Sequence, residues 1–411
     1  MSEKKPLNYI ASLDGVRGLF CLGILSHHIP IDYLRTHFAY FWFILPLFFV
    51  MSGFLITRIL INQKNKGESF GGFFGNFYIK RSFRIFPLYF TYIFFWFAVV
   101  YFFGDKKAVS QGLGLTPEIQ NNWWMLLSYT YNIKESINQF LGKPAMYGCL
   151  LLEHLWSLSL EEQFYFIIPF LVFFLSEKNL KRVILLIVIA MPIVRYFGMD
   201  YLSHCDYVKN IDIAFRERWL AIVVNRSSFF QFDALFTGAL MATFDFGKIK
   251  KAYLWFYGLC ALWLILTTLN GYYIAQQEGT SMYQALHEIE FLAKNYVYVY
   301  IFTIVNFMCL FFLLTLMRKE TGMNKIFENR FLVYLGKISY GIYVFHFAVF
   351  IFTFGFSVAL CKVLGWNMQN LGVGIIVWIM CYAMTLLVSH LSYKYFEHFF
   401  LRIKDKLYSE P

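Results

Sequence analysis

An arginine and a histidine share one apolar stretch near the start of the chain, SLDGVRGLFCLGILSHH at residues 12–28. On a helix, Arg17 and His28 are three turns apart, so their side chains lie on nearly the same face, roughly 16 Å apart along the axis. That separation is close to the reach of an extended pantetheine arm. An arginine that holds phosphates and a histidine that meets a thioester would fit an acyl-coenzyme A threaded into a helix bundle. His27 points about a quarter-turn away, which favours His28 as the reactive imidazole.

The same residues also have plainer interpretations. An ionisable residue in a membrane span is by default a functional hypothesis, but Arg17 near a helix end could instead reach lipid phosphates. A lone histidine could be a packing residue. Asp14 on the same helix is predicted to be structural or substrate-lining. His28 would act as a general base or carry the acyl group transiently, and the sequence leaves that choice open.

Two further arginines lie in the segment YIKRSFRIFPLYF, residues 78–90. Arg81 and Arg84 are three residues apart and therefore share a helix face. The guanidinium fork suits phosphate recognition better than the point charge of a lysine. The excess of basic residues at cytoplasmic helix ends explains Lys80 readily, but it explains Arg84 less well because apolar residues flank Arg84 on both sides. We therefore predict that Arg81 and Arg84 bind the donor together with Arg17.

Adjacent carboxylates occur in EHLWSLSLEEQFYFIIPF, where Ser157 and Ser159 precede Glu161 and Glu162. Two carboxylates about one turn inside a bilayer need a partner, a raised pKa or water. A carboxylate near a neutral imidazole could orient it as a general base for a hydroxyl nucleophile. Neighbouring side chains diverge by about 100° on a helix, so we expect only one of the two to face the site.

Three more polar residues lie in apolar segments. Asp233 in FFQFDALFTGALMA is a second buried carboxylate, and Gly238 in the same segment would allow close helix packing. Tyr343 and His346 in LGKISYGIYVFHFAVF are three residues apart on one face. They form either a polar pair that lines a cavity or a hydrogen-bonded contact between helices. All three are predicted to be structural or substrate-lining.

Composition places these residues in a membrane protein. The 411-residue chain is 59% hydrophobic and 15% charged, with a mean hydropathy of +0.54, whereas a soluble domain has about a quarter of its residues charged. The continuous apolar runs exclude a barrel of short alternating strands. We predict an all-α polytopic membrane helix bundle. Its ten spans are 12–30, 40–60, 83–103, 156–175, 182–198, 228–244, 252–271, 296–317, 333–355 and 371–398.

The positions of the 36 Lys and Arg residues indicate the orientation. If both termini are cytoplasmic, most of these residues fall in short inner segments, as the positive-inside rule requires. The net charge of +11 then reflects topology, and nucleic-acid binding is not needed to explain it. The predicted organisation is a cytoplasmic tail 1–11 that enters a retained signal anchor, a membrane domain 12–400 and a cytoplasmic tail 401–411. Two long outer loops, 104–155 and 199–227, would hold Cys149 and Cys205, for which two free thiols are favoured over a disulfide.

Seven segments occur in the order found in acyltransferase 3 family membrane proteins, and the chain resembles that family over residues 8–400. The segments are LDGVRGLFCLGILSHH, PLFFVMSGFLI, RSFRIFPLYF, LWSLSLEEQFYFIIPFL, FDALFTGALMA, LGKISYGIYVFHF and YKYFEHFF. The resemblance implies a ten-span enzyme that moves an acyl group, usually acetyl, from cytoplasmic acyl-CoA to an extracytoplasmic hydroxyl. Typical acceptors are O-antigen, exopolysaccharide, Nod factors or periplasmic glucans, and some relatives acylate antibiotics.

The resemblance also implies roles for individual residues. The family's motif residues fall on Arg17 and His28, Arg81 and Arg84, Ser52 and Gly53, and Ser157, Ser159, Glu161 and Glu162. The chain departs from the pattern after Glu397, where His398 and Phe399 replace the usual proline. Some members carry a hydrolase-like domain after the last span. Because this sequence ends at Pro411, we expect the stand-alone form, in which transfer finishes in the membrane domain or on a separate periplasmic transferase partner.

The sequence therefore predicts an O-acyltransferase of the bacterial inner membrane that acts on a saccharide or glycolipid. The co-substrate would be acyl-CoA, with no permanently bound cofactor, no metal and no nucleic-acid partner. The alternative is a non-catalytic carrier or flippase for an anionic lipid-linked sugar, which would use the same arginines for pyrophosphate. A membrane glycosyltransferase is disfavoured because its first outer loop would need metal-binding acidic residues. The loop IPIDYLRTHFAY offers only Asp32.

Overall fold

The computed structural model describes residues 10–28, 31, 44–103, 123–141, 151–210, 212–244, 249–287, 289–319 and 321–408, and these residues form helices and their connections. In chain order the α-helices are α1 Ala11–His27, α2 Ile44–Asn65, α3 Phe70–Phe103, α4 Trp124–Leu127, α5 Tyr131–Phe140, α6 Trp156–Phe174, α7 Glu177–His204, α8 Asp206–Lys209, α9 Ile213–Arg226, α10 Ser228–Ala242, α11 Ala252–Glu278, α12 Met282–His287, α13 Val297–Arg318, α14 Asn324–Phe327, α15 Arg330–Lys337, α16 Ser339–Leu364, α17 Leu371–Leu391 and α18 His398–Tyr408. Short 3-10 segments, Glu153–Leu155 and Ile289–Ala293, precede α6 and α13. A π-helical turn, Ser392–Glu397, joins α17 to α18. The predicted all-α fold is confirmed.

Eight helices within the described ranges are long and apolar enough to cross a membrane, which confirms the predicted polytopic bundle. The predicted spans 12–30 and 228–244 are the shorter helices α1 and α10, of 17 and 15 residues. Fifteen residues rise about 22 Å, less than the roughly 30 Å of hydrocarbon in a bilayer. Most residues of α10 are buried among other helices. Its length therefore does not have to match the bilayer.

Several boundaries differ from the sequence prediction, and the predicted span 333–355 falls on two helices, α15 and α16. The third span was expected to begin at residue 83, but α3 begins at Phe70 and extends for 34 residues. Its rise of about 51 Å exceeds the bilayer core, so Lys80, Arg81 and Arg84 lie inside a continuous helix and not at its start. The predicted outer loops are also largely helical where they are described. A polar segment packed on the bundle must still satisfy its backbone hydrogen bonds, and a helix does so locally.

Helices α2 and α10 pack backbone against backbone at Gly53 and Gly238. A Cβ added to Gly53 would lie 1.9 Å from the Leu235 carbonyl oxygen, and one added to Gly238 would lie 1.9 Å from the Val50 carbonyl oxygen. Side chains larger than hydrogen do not fit at these distances, so glycine permits the close approach. This contact fixes the position of α2, and with it the position of Ser52, the residue before Gly53.

Helix α1 packs just as closely against α15. A Cβ on Gly18 would lie 2.1 Å from the Leu332 carbonyl oxygen, and one on Gly336 would lie 1.9 Å from the Asp14 carbonyl oxygen. The two glycines thereby set the rotation of α1 about its axis. Arg17, adjacent to Gly18, is held on the face of α1 that turns toward α3 and α6.

Some predicted features lie outside the described residues. These are Cys149, Asp32 and the ends of both tails, residues 1–9 and 409–411. Helix α18 continues to Tyr408, so it crosses the boundary predicted at residue 400.

Candidate active site

A cavity opens between α1, α2, α3, α6 and α16, and the three predicted donor-binding arginines line it. Arg17 comes from α1, and Arg81 and Arg84 come from α3. Apolar side chains, hydroxyl groups and one carboxylate complete the wall. The other lining residues are Cys21, Ile24, Leu45, Phe48, Phe49, Met51, Ser52, Ile85, Ser157, Leu158, Glu161, Tyr165, Ser339, Tyr340 and Tyr343.

Helix α1 presents one stripe of residues to this cavity. Arg17, Cys21 and Ile24 line it, and His28 is the next position on the same stripe by helical geometry. Arg17 Nη1 forms an ion pair with Asp14 Oδ1 at 3.0 Å, and both side chains remain partly accessible. The aspartate therefore orients the guanidinium without withdrawing it from the cavity.

Tyr165 links the carboxylate and the arginine that line the cavity from α6 and α3. Its hydroxyl donates to Glu161 Oε2 at 2.6 Å, and the Ser52 hydroxyl lies 2.5 Å from the same phenol oxygen. The Arg81 guanidinium carbon lies 4.3 Å from the centre of the Tyr165 ring, a cation–π contact. Tyr165 is not among the site residues predicted from the sequence. Its position one turn after Glu161 is the signal that could have identified it.

The two adjacent carboxylates diverge, as expected from their one-residue spacing. Glu161 lines the cavity, whereas Glu162 is absent from its wall. Neither glutamate is the residue that orients His28. Nδ1 of His28 lies 3.1 Å from the Ile24 carbonyl oxygen, one turn earlier on α1. A backbone carbonyl thus takes the place of the expected carboxylate, because α1 continues far enough to offer its own acceptor.

Ser157 and Ser159 of α6 also point in different directions. Ser157 lines the cavity and forms a hydrogen bond with the Tyr343 hydroxyl, which also donates to the His154 carbonyl oxygen. Ser159 is fully buried, and its hydroxyl donates to the Leu155 carbonyl, one turn earlier in the chain, at 3.3 Å. Ser157 therefore faces the cavity, and Ser159 does not.

His28 lies one layer beyond the cavity wall, where it meets His346. The two ring centres are 5.2 Å apart, and the His346 ring is 5.0 Å from that of His154. Burial, followed by the positive charge that His28 could carry, lowers the pKa of His154 to about 3, so His154 is neutral. His154, which precedes Ser157 by one helical turn, is not among the site residues predicted from the sequence. Its contacts depend on α16, and no local pattern reveals them.

Asp233 and Gly53 do not line the cavity. Asp233 Oδ2 accepts from Arg195 Nη1 at 2.8 Å, and both side chains are almost completely buried. The same Nη1 donates to the Phe230 carbonyl at 2.8 Å, and Nη2 donates to Thr303 Oγ1 at 2.7 Å. Asp233 is thus engaged in a buried ion pair, and Gly53 in the close contact between α2 and α10. Within the described part of the chain, no group of three or more His, Cys, Asp or Glu residues is placed to hold a metal ion.

Comparison with known proteins agrees with the resemblance noted from the motifs. Residues 10–394 match a family model described as "Acyltransferase domain". A peptidoglycan O-acetyltransferase OatA of Listeria monocytogenes is 26% identical over 426 residues, covering 97% of this chain and 58% of the relative. An O-acetyltransferase OatA of Staphylococcus aureus is 23% identical over 396 residues, covering 95% of this chain and 57% of the relative. The chain therefore spans less than two thirds of the length of these relatives. No solved structure matches.

Proposed function

The chain belongs to the acyltransferase 3 family of membrane proteins, and from this we propose that it moves an acetyl group from acetyl-CoA to a hydroxyl of an extracytoplasmic glycan. The observation that carries the proposal is the arrangement along α1. Arg17 enters a cavity shared with Arg81 and Arg84, and His28 follows on the same stripe about three turns away. Relatives named as O-acetyltransferases support acetyl as the group and a polysaccharide as the acceptor.

The arginines supply the charge that a coenzyme phosphate requires. Three guanidinium groups line the cavity, Asp14 pairs with Arg17, and Glu161 lines the same wall. The carboxylate of Glu161 is already engaged by Tyr165 and Ser52. Arg84 remains exposed. Arginine to phosphate is a strong, charge-assisted pairing. The phosphates would therefore bind here from the predicted cytoplasmic side, and the pantetheine arm would extend along α1.

His28 is suited to act at the thioester end of acetyl-CoA. With its Nδ1–H directed at the Ile24 carbonyl, Nε2 keeps a lone pair that can take the acceptor's hydroxyl proton. The hydroxyl oxygen would then attack the thioester carbonyl, the C–S bond would break, and the coenzyme thiolate would recover the proton from His28. Alternatively Nε2 would attack the thioester first and release the coenzyme thiolate; the acceptor hydroxyl would then take the acetyl group from Nε2 and give its proton to the thiolate. The acceptor hydroxyl would belong to the glycan or to a separate transferase on the outer side of a bacterial inner membrane.

Radiolabelled acetyl-CoA tests this proposal with the protein in lipid nanodiscs. The wild type should bind acetyl-CoA and acetylate a saccharide, and His28→Ala should abolish transfer while binding survives. His204→Ala, an exposed histidine at the end of α7, is the matched control and should retain transfer. A carrier or flippase for a lipid-linked saccharide would instead keep most of its transport when His28 is replaced. Glycan analysis of a deletion strain provides the cellular test, because unchanged acetylation would contradict the proposal.

A further inference from the structure

Three imidazoles from three separate elements meet beyond the arginine-lined cavity. His28 directly follows the last residue of α1, His154 lies in the 3-10 segment before α6, and His346 lies in α16. The His346 ring centre is 5.2 Å from that of His28 and 5.0 Å from that of His154. Phe347 packs against all three rings, with centroid distances of 4.7, 5.1 and 4.7 Å to His28, His154 and His346. We call this group the imidazole cluster.

Each imidazole has one ring nitrogen committed to a backbone carbonyl. Nδ1 of His28 and Nδ1 of His346 face carbonyls one turn earlier on their own helices, at 3.1 and 2.6 Å. Nε2 of His154 faces the Val344 carbonyl on the neighbouring helix, at 3.1 Å. A carbonyl oxygen can only accept, so in each ring this nitrogen carries the proton. The tautomers assigned from this geometry are Nδ1–H for His28 and His346, and Nε2–H for His154.

In neutral rings the remaining nitrogens are hydrogen-bond acceptors. His154 Nδ1 and His346 Nε2 are buried and have no hydrogen-bond partner within the described residues. The side chains of these two histidines are 4% and 0% exposed. Three neutral imidazoles in this state cannot satisfy one another, because none of the nitrogens left over bears a hydrogen. Each hydroxyl hydrogen of a ligand would satisfy one of these nitrogens, so a saccharide with several hydroxyls fits, whereas a carboxylate or phosphate does not.

The cluster adjoins the place where the thioester would arrive. Tyr343 lines the cavity, and its ring centre is 5.4 Å from that of His154 and 5.7 Å from that of His346. A group that extends past Tyr343 from the arginines therefore reaches the imidazoles next. The thioester and a group bound at the imidazoles would be neighbours.

We propose that the imidazole cluster binds the acceptor hydroxyl, with His154 and His346 as positioning residues for the proton that His28 removes. This inference rests on the proposed acetyl transfer. When His28 takes the hydroxyl proton, its Nε2–H becomes a donor, and Nε2 of His346 is the neighbouring acceptor. The resulting imidazolium is then stabilised without a carboxylate partner. On return of the proton to the leaving thiolate, the cluster regains its neutral state, so charge and protons balance over one turnover.

Amide substitutions separate this role from a packing role, because asparagine places an amide near Nδ1 and glutamine places one near Nε2. His346→Asn keeps the bond to the Tyr343 carbonyl and removes Nε2. His154→Gln keeps the bond to the Val344 carbonyl and removes Nδ1. Both variants should fold, and both should bind acetyl-CoA as the wild type does. Acetyl transfer to chitotetraose, or to water as the simplest hydroxyl, should fall about 10- to 100-fold, the worth of one hydrogen bond to a charged group.

The effects on kcat and on each KM distinguish a positioning role from a packing role. The loss should appear in kcat and in the KM for chitotetraose, with the KM for acetyl-CoA unchanged. Wild-type transfer by both variants would overturn the proposal, and so would a parallel loss of acetyl-CoA binding and folding, which would mark a structural role.

If the wild type neither acetylates chitotetraose nor hydrolyses acetyl-CoA, the proposed function has failed, and a readout that needs no turnover still tests the cluster. Nitrogen-15 NMR of histidine-labelled protein should show three neutral rings with the stated tautomers, and a proton on any of the three free nitrogens would refute the inference.

Discussion

Tyr165 and Glu161 lie one turn apart on α6 and share a 2.6 Å hydrogen bond at the wall of the arginine-lined cavity. This hydrogen bond pairs the Glu161 carboxylate with a side chain of the same helix. One face of the phenol ring contacts the Arg81 guanidinium, whose carbon lies 4.3 Å from the ring centre. The tyrosine thus separates a cation and an anion that would otherwise pair directly. The positive charge of Arg81 is therefore not neutralised by Glu161 and can attract a phosphate.

This arrangement predicts different effects for the ring and the hydroxyl of Tyr165. Tyr165→Phe keeps the cation–π contact, so acetyl-CoA affinity should change less than about twofold. Tyr165→Leu removes the ring, and affinity should fall about fivefold, since such contacts contribute about 1 kcal/mol. Isothermal titration in nanodiscs measures both. Equal affinities for the two variants would show that the ring does not orient Arg81.

The buried pair of Arg195 and Asp233 predicts a large stability effect. Their side chains are 0% and 1% exposed, so replacing one partner leaves an uncompensated charge, which costs about 3–5 kcal/mol. Asp233→Leu should therefore lower the melting temperature strongly, as should Arg195→Met. The double variant Arg195→Met/Asp233→Leu should recover much of the loss because no buried charge remains. Fluorescence-detected melting tests this. A double variant less stable than either single variant would contradict it.

Close helix packing predicts that Gly53 does not tolerate a methyl group. The added Cβ would lie 1.9 Å from the Leu235 carbonyl oxygen, and relief of that clash requires α2 and α10 to separate. Gly53→Ala should destabilise the protein by about 1–3 kcal/mol, as overpacking does. Gly258→Ala on α11 is the matched control, because nothing lies within 4 Å of its added Cβ. Equal melting temperatures for the two variants would show that the interface can relax.

The pKa of His154 predicts acid sensitivity. Burial lowers this pKa to about 3, whereas an unfolded histidine titrates near 6.5. Between these values the unfolded state binds more protons, so stability falls as the pH falls, by at most about 1.4 kcal/mol per pH unit. His154→Gln removes this contribution and should reduce the loss of melting temperature between pH 7 and pH 5. His204→Gln, an exposed control, should behave as the wild type does, and the prediction fails if it matches His154→Gln.

Much of the fold was predictable because helical and bilayer constraints are local. Long apolar runs must be helices when the backbone has no water to bond, and every predicted span overlaps a helix, although 333–355 crosses the break between α15 and α16. The fixed period of the helix likewise predicted that Glu161 and Glu162 would diverge and that Arg17 and His28 would share a face. Helix extent was less predictable. Helix α3 extends well before its apolar core, because helical backbone bonds do not depend on hydrophobicity.

The partners of individual side chains were not predictable. Asp233 could be recognised as a buried carboxylate that needs compensation, but the choice of Arg195, on another helix, depends on how α7 and α10 pack. The same holds for His154, whose ring meets His346 only because α16 lies beside the 3-10 segment that precedes α6. The sequence by itself determined which residues lie on each face of each helix, since that follows from the period of a single element. The tertiary structure alone decided which faces meet, because rotation and contact between helices depend on close packing over many distant residues at once.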